Sequence, residues 1–216
     1  MIKIKRKVVL HGPSTLTISL PLAWVKKFNI KKGDELYVEE SNNELKIRVE
    51  KEPAFEKKSI SIGKLERLGK SYLTSSYRMG YNEVDFFYDN PVYIDTIRNL
   101  LSNEVIGFEI IKQTRNNCLI KDITGHSKDE FDNVIRRLWL LVLNLSEESF
   151  NAIKNRKKED VENITSIDYS INKFSNYCLR LLSKSRVKDY TKGPLYFHMI
   201  KSLEEIADNY KDLCNF

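Results

Sequence analysis

Residues 11–27 read HGPSTLTISLPLAWVKK, and this stretch decides the fold of the N-terminal region. A Gly-Pro pair breaks the chain near its start, because glycine and proline favour turns. Leu16, Ile18 and Leu20 then alternate with polar residues, which is the period-two pattern of a half-buried strand. Pro21 suits the start of a helix, where its missing N–H costs nothing. The stretch therefore predicts a turn, a strand and a short helix.

Strands are predicted on both sides of this stretch. One precedes it at residues 3–10, and a hairpin follows it at residues 35–40 and 45–49. A unit of this size cannot bury much apolar surface alone. Small units gain the missing core by associating with a copy of themselves. The sequence therefore predicts that residues 1–52 form a dimerising domain.

Positive charge is concentrated in the same region. The chain has 216 residues and a formal net charge of +6. Residues 1–52 carry 11 Lys and Arg against 7 Asp and Glu, which is a net +4. No acidic residue precedes Gly33, whereas eight basic residues do: Lys3, Lys5, Arg6, Lys7, Lys26, Lys27, Lys31 and Lys32. Charge of one sign concentrated in a small segment favours nucleic acid as the partner.

The N-terminal residues carry a resemblance to a known family. A basic strand, GPSTLTISLP at residues 12–21 and WVKKFNIKKGDELYV at residues 24–38 together resemble the SpoVT/AbrB domain of transition-state regulators and antitoxins. The resemblance implies an intertwined swapped-hairpin dimer that binds double-stranded DNA. The DNA-binding candidates that it implies are Lys3, Lys5, Arg6, Lys7, Ser14, Thr15, Lys26 and Lys27. Because lysine lacks the bidentate fork that reads guanine, phosphate contact is predicted rather than base reading.

Residues 53–126 are predicted to form a small α/β module. A linker-like break precedes strand, helix, strand, helix and a final hairpin. The helices are expected at residues 65–79 and 91–102, and the hairpin at residues 107–123. The segment shows no phosphate loop, metal-ligand cluster or nucleophile–base set. A sensor or oligomerisation role is the functional interpretation.

Three long helices joined by short polar breaks are predicted over residues 127–216, as an antiparallel bundle. A capping box at Ser127 and Glu130 opens the first helix. Apolar residues then recur at three- and four-residue steps and are expected to face inward. They include Phe150 and Ile153 on the first helix and Leu195, Ile206 and Leu213 on the third.

The bundle region carries a second resemblance. Glu204 and Asp208 are four residues apart, so they share one face of a helix. KSLEEIADN at residues 201–209 and the segment at residues 167–182 resemble the PhoU phosphate-uptake regulators. The resemblance covers about residues 127–216, one three-helix unit. PhoU proteins hold metal clusters with such carboxylates.

Carried over to this chain, the resemblance implies a metal site at Asp168, Glu204 and Asp208 for divalent or iron ions. Three carboxylates without an imidazole suit a hard cation better than zinc. The alternative interpretation is a solvated acidic stripe paired with Lys201 and Lys211. Both interpretations stay open at this point, and no cofactor is otherwise expected.

Several classes of function lack support in the sequence. The strongest apolar run, residues 138–145, is too short to span a membrane, and the start lacks an apolar signal core. We expect no membrane insertion and a cytoplasmic location. The three cysteines lie far apart, which favours free thiols. No enzyme activity is expected, because His11, His126 and His198 have no nucleophile or acid partner nearby.

Together these features predict an α+β multidomain protein. An AbrB-like domain at residues 1–52 and a module at residues 53–126 precede a PhoU-like bundle at residues 127–216. The expected function is a transcriptional regulator of the archaeal type that binds DNA as a homodimer or higher homo-oligomer, with phosphate uptake as the regulated process. The alternative is a dimeric interaction module that does not bind DNA. Its bundle would dock on a protein partner, either a transporter or a signalling protein.

Overall fold

The computed structural model describes residues 4–41, 44–49, 56–63, 66–124, 130–155, 158–184 and 192–214. Within these ranges the chain is α+β, with eight strands and six helices. The chain divides into two compact units, Met1–Ala54 and Phe55–Phe216. We call them the N-terminal unit and the C-terminal unit. The finer division at residues 52 and 126 stays a prediction.

In its described residues, the N-terminal unit has two hairpins and one helix. Its elements are β1 (Val9–His11), β2 (Thr15–Thr17), α1 (Leu22–Phe28), β3 (Leu36–Ser41) and β4 (Glu44–Val49). β1 pairs antiparallel with β2, and β3 pairs antiparallel with β4. The order agrees with the prediction, but the strand expected at residues 3–10 is wrong in extent. Pairing with β2 reaches only as far as Val9 opposite Thr17, so residues 4–8 have no neighbouring strand in the part of the chain that the structure describes.

The C-terminal unit begins with a four-stranded sheet and two helices. Its elements are β5 (Lys57–Ser61), α2 (Glu66–Arg78), β6 (Glu83–Phe87), α3 (Tyr93–Glu104), β7 (Phe108–Gln113) and β8 (Asn117–Asp122). The strand order is β5-β6-β8-β7, with β5 parallel to β6 and the other neighbours antiparallel. This element order matches the prediction, and α3 buries Ile94, Ile97, Leu100 and Leu101 as expected.

Three helices complete the C-terminal unit: α4 (Glu130–Asn155), α5 (Lys158–Ser183) and α6 (Gly193–Leu213). Each helix packs against the other two, as the predicted bundle requires. Leu138, Ile171 and Leu203 lie in its core. Ser127 of the predicted capping box lies outside the described residues. None of the described helices is long and apolar enough to cross a membrane.

Five apolar side chains that we expected to face inward are exposed instead. They are Phe150 and Ile153 on α4 and Leu195, Ile206 and Leu213 on α6. A helix in a three-helix bundle buries only the side that faces its two neighbours. The apolar stripes of α4 and α6 are wider than that side, so no described residue covers their outer positions.

One buried arginine joins the bundle to the sheet. Arg180 of α5 is completely buried, and it donates to the carbonyl oxygens of Tyr77 (2.7 Å) and Tyr81 (2.8 Å). It also donates to Oδ2 of Asp122 at 2.6 Å. The guanidinium carbon lies 4.7 Å and 4.9 Å from the ring centroids of Tyr77 and Phe108. These contacts meet the requirement that a buried charge be paired and hydrogen-bonded.

Candidate nucleic-acid interface

The loop between β1 and β2 holds two of the DNA-binding candidates. His11 and Thr15 close the hairpin as opposite residues, and Gly12 has a φ of 71°. A positive φ is easy for glycine, which has no Cβ, and this allows the tight turn. Ser14 and Thr15 are exposed at the end of the hairpin. Their hydroxyls are therefore available to a ligand outside the chain.

The basic residues before β1 are also exposed. Lys5, Arg6 and Lys7 project from the segment that leads into the first hairpin. Lys3, the first candidate, lies outside the described residues. Within the described ranges, no carboxylate forms an ion pair with these three side chains. Their charges are therefore not neutralised by the described part of the chain.

Two further candidates lie at the C-terminal end of α1. Lys26 and Lys27 occupy the last helical turn and are exposed. Positive charge is favourable there, because the helix dipole leaves its C-terminus partly negative. Asn29 has a φ of 50° and ends the helix, with its N–H donating to the carbonyl oxygen of Lys26 at 3.2 Å. The two lysines thus stabilise the helix and also present charge to solvent.

The candidate set from the sequence leaves out Lys31 and Lys32, which follow α1 in a well-defined turn. The N–H of Lys31 donates to Oδ2 of Asp34 at 2.8 Å, and the N–H of Asp34 donates to the carbonyl oxygen of Lys31 at 3.1 Å. Gly33 has a φ of 97°, which the turn requires. Both lysine side chains are exposed. The motif KKGD was the available signal for this turn.

The N-terminal unit also exposes a large share of its apolar side chains. Leu16 is 68% exposed and Leu45 is 64% exposed, although both lie in strands. A groove of 470 Å³ is lined by Ile4, Leu20, Pro21, Ala23, Trp24, Lys27, Leu45 and Ile47. Contiguous apolar surface of this kind marks an interaction site in soluble proteins.

The carboxylates expected to hold metal are paired with cationic side chains of the chain itself. The ammonium group of Lys211 donates to Oδ2 of Asp168 at 2.9 Å and to Oδ1 of Asp208 at 3.0 Å. Glu204 contacts Lys201, and the guanidinium of Arg78 lies 3.9 Å away. Lys201 and Lys211 are the partners that the alternative interpretation expected.

Asp168 is the most enclosed of these three carboxylates, being only 4% exposed. Burial raises the pKa of Asp168, and the hydrogen bond from Lys211 opposes that rise. No group of three or more His, Cys, Asp or Glu side chains is arranged to hold a metal ion in the described part of the chain. The metal role of Asp168, Glu204 and Asp208 stays a prediction.

Comparison with known proteins bears on the N-terminal unit. Residues 11–55 match the family described as antidote-toxin recognition MazE, bacterial antitoxin. The matched segment contains the hairpin loop, α1 and the second hairpin. The match supports the predicted AbrB-like domain at the N-terminus. No curated protein and no solved structure matches the chain.

Proposed function

We propose that this chain is a DNA-binding transcriptional regulator that pairs through its N-terminal unit and contacts the phosphate backbone with the basic side chains of that unit. The observation that carries the proposal is a set of exposed basic residues with no acidic residue from Ile4 to Gly33. The set comprises Lys5, Arg6, Lys7, Lys26, Lys27, Lys31 and Lys32. The family match at residues 11–55 supports the class of a regulator or an antitoxin at a coarse level.

The apolar surface of the N-terminal unit supports pairing. No residue of this unit whose exposure is described is buried, although both hairpins carry alternating apolar residues. Ordering a chain costs about 1–2 kcal/mol per residue in backbone entropy, which only buried apolar surface offsets at this scale. A second copy that packs against the two hairpins and the groove buries these apolar side chains. Pairing also doubles the basic surface offered to a duplex.

Phosphate contact by lysine explains how such a dimer binds without reading every base. Each neutralised phosphate releases counterions, so the logarithm of the affinity falls linearly with the logarithm of the salt concentration. A protein with about 6–10 phosphate contacts loses about 10³–10⁵ in affinity between roughly 50 and 200 mM salt. The exposed basic set of two chains is large enough to place this protein in that range.

In this proposal, the C-terminal unit receives the signal that regulates DNA binding. A signal from phosphate status, and metal ions at Asp168, Glu204 and Asp208, rest on the PhoU resemblance alone. Under the alternative function the N-terminal unit serves only to dimerise. The C-terminal unit then docks on a transporter or a signalling protein. DNA binding separates the two functions.

Charge reversal before β1 tests the proposal. We would compare Lys5→Glu/Arg6→Glu/Lys7→Glu with a control that reverses three exposed basic residues of the C-terminal unit, Arg67, Lys112 and Arg115. Both triple variants change the net charge by the same amount, so they differ only in where the charge lies. Binding to a random-sequence duplex is measured by fluorescence anisotropy at about 50 and 200 mM salt, with mass recorded by sedimentation.

The N-terminal triple variant should lose at least about 100-fold in affinity at the lower salt and keep its oligomeric mass. The control should lose much less, because its charges lie outside the N-terminal unit. Equal losses in the two variants would contradict the proposed location of the site. A wild-type dimer that ignores the duplex at low salt would contradict DNA binding itself and favour the interaction module.

A further inference from the structure

The helical bundle carries two exposed apolar stripes. On α4 the stripe consists of Trp139 (46% exposed), Leu143 (55%), Phe150 (67%) and Ile153 (44%). On α6 it consists of Leu195 (64%), Ile206 (44%) and Leu213 (63%). Successive members are separated by 3, 4, 7 or 11 residues, which are close to whole numbers of helical turns. Each set therefore forms a line along one side of its helix.

The two stripes belong to neighbouring helices. Near the start of α4 and α6, the rings of Phe131 and Tyr196 lie 5.0 Å apart. Further along both helices, Sγ of Cys214 lies 3.8 Å from the carbonyl oxygen of Ser149. The two helices therefore run side by side in the same direction.

Both stripes lie on the sides of their helices that point away from α5. Asn163 of α5 donates a hydrogen bond to Glu148 of α4 at 3.0 Å. Glu148 is two and a half helical turns from Trp139, so these two side chains lie on opposite sides of α4. Lys211 of α6 contacts Asp168 of α5. Leu213 lies about 200° around α6 from Lys211, so it is on the opposite side of that helix from α5. The stripes therefore flank the line where α4 meets α6. We call this surface the α4–α6 face.

The area of the α4–α6 face is that of a protein interface. A large apolar side chain offers roughly 200 Å² of surface. The seven side chains then expose on the order of 800 Å² per copy, which is the area that each partner contributes to an interface of standard size. Monomeric proteins rarely leave an apolar patch of that size in water.

The charges along α4 are arranged for a second copy of the same helix. Asp132 lies eleven residues before Leu143, and Lys154 lies eleven residues after it. Arg136 lies seven residues before Leu143, and Phe150 lies seven residues after it. In an antiparallel pair of α4 helices centred on Leu143, each carboxylate meets an ammonium group and each guanidinium meets an aromatic ring. A twofold axis generates both contacts twice.

From this area and this self-complementary order of charges, we infer that the α4–α6 face is a second self-association surface, covered by the same face of another copy of this chain. The interface is isologous, with its twofold axis near Leu143. Its apolar stripe supplies the affinity, and the charges at the two ends of α4 set the antiparallel direction. The surface belongs to the C-terminal unit and is independent of the pairing proposed for the N-terminal unit.

A pair of double variants tests this interface in the full chain. Leu143→Lys/Phe150→Lys places two charges on the face. Asn144→Lys/Asn151→Lys places the same charges at the same spacing on exposed positions about 100° further around α4. Self-association is followed by sedimentation equilibrium over a range of concentrations. Pairing of the N-terminal unit is present in both variants, so it cancels in the comparison.

We expect Leu143→Lys/Phe150→Lys to weaken self-association at least about tenfold relative to the control, or to reduce the stoichiometry. Equal association of the two double variants would overturn the inference. Helical content measured by circular dichroism shows whether each variant is folded. If the first variant does not fold, a cross-linking pair decides instead.

That pair is Leu143→Cys and Asn144→Cys. The three native cysteines are buried, so the introduced thiol is the one that an oxidant reaches. Leu143→Cys should form a disulfide between copies, because its position lies at the twofold axis, whereas Asn144→Cys should remain reduced. Equal cross-linking, or none in either variant, would overturn the inference. A thiol introduced at residue 143 that neither cross-links nor reacts with maleimide would show that the chain covers its own face.

Discussion

The two units of this chain bury their apolar side chains by different means. The buried residues among those described all lie in the C-terminal unit, which encloses even an arginine. The N-terminal unit has the same kind of apolar alternation in its strands, yet its described side chains stay at least partly exposed. The difference shows that a periodic pattern identifies which apolar side chains must be buried. The number of neighbouring elements decides whether residues of the same chain bury them.

Replacing Arg180 should have the largest effect, because the C-terminal unit depends on its own interior. Arg180→Met removes the guanidinium from Asp122, whose side chain is only 1% exposed. Breaking a buried pair by removing one partner costs about 3–5 kcal/mol when the other charge is left uncompensated, and Nζ of Lys184, 3.8 Å from the same carboxylate, places the expected loss at the lower end of that range. We expect a loss of that size in the free energy of unfolding, measured by denaturant titration with circular dichroism.

The control for this substitution is Arg98→Met, which removes an exposed arginine that pairs with Asp95 at 3.4 Å. An exposed pair of this kind contributes little, so the free energy of unfolding should change by no more than about 0.5 kcal/mol. Similar losses for the two variants would show that the C-terminal unit does not depend on its buried arginine.

In the N-terminal unit, a substitution that removes little packing within one chain should still weaken the dimer. Leu16 is 68% exposed, so Leu16→Glu removes little packing within one copy. If a second copy covers this position, the lost burial is worth about 1.5–3 kcal/mol, and the dissociation constant of the dimer rises about 10–100-fold. Sedimentation measures this rise. Leu68→Glu, at an exposed position on α2 of the C-terminal unit, is the control and should leave the dissociation constant unchanged.

A smaller effect should appear in the pH dependence of the C-terminal unit. Hydrogen bonds from Lys121 and Lys57 lower the pKa of Glu83, with Nζ–Oε distances of 2.9 and 3.0 Å. A lowered pKa in the folded state means that the stabilisation is present above the unfolded value of about 4.3 and is lost as the pH falls through the folded value. The lysine side chains are 38% and 64% exposed, so solvent reduces the contribution to less than about 1 kcal/mol.

Glu83→Gln tests this linkage. The variant should be slightly less stable than the wild type at about pH 6, and the difference should shrink on acidification below about pH 4. Urea titrations at several pH values measure it. A difference that grows as the pH falls would mean that Glu83 is destabilising in its charged form.

The sequence predicts the order of elements well, because each element has its own local signal. The alternation that begins at Leu16 is an example, although β2 ends at Thr17 and leaves Ile18 and Leu20 outside the strand. Other features depend on distant residues and leave no local signal. Arg180 lies within an apolar run of α5, and no neighbouring residue in the sequence indicates that it contacts Asp122 and Phe108. The exposure of Phe150 likewise depends on how many helices surround α4.

The composition of the sequence predicts the candidate DNA-binding surface, because seven exposed basic residues precede the first acidic residue. The sequence does not predict how these residues are arranged in space. The turn that holds Lys31 depends on a hydrogen bond to Asp34. Residues 4–8 are exposed and lie outside β1 and β2. These features depend on contacts rather than on the type of residue, and under the proposed pairing some of those contacts come from a second copy.

Hydrogen–deuterium exchange over a dilution series tests most directly the claim that the N-terminal unit depends on association, whereas the C-terminal unit folds around its own core. Amides of α1 and of the β3–β4 hairpin should lose protection as the protein is diluted through the dissociation of its dimers. Amides of β6, β8 and α5 should keep their protection at every concentration, because Arg180 and the surrounding core lie within one chain. Protection in the N-terminal unit that is independent of concentration would contradict the account.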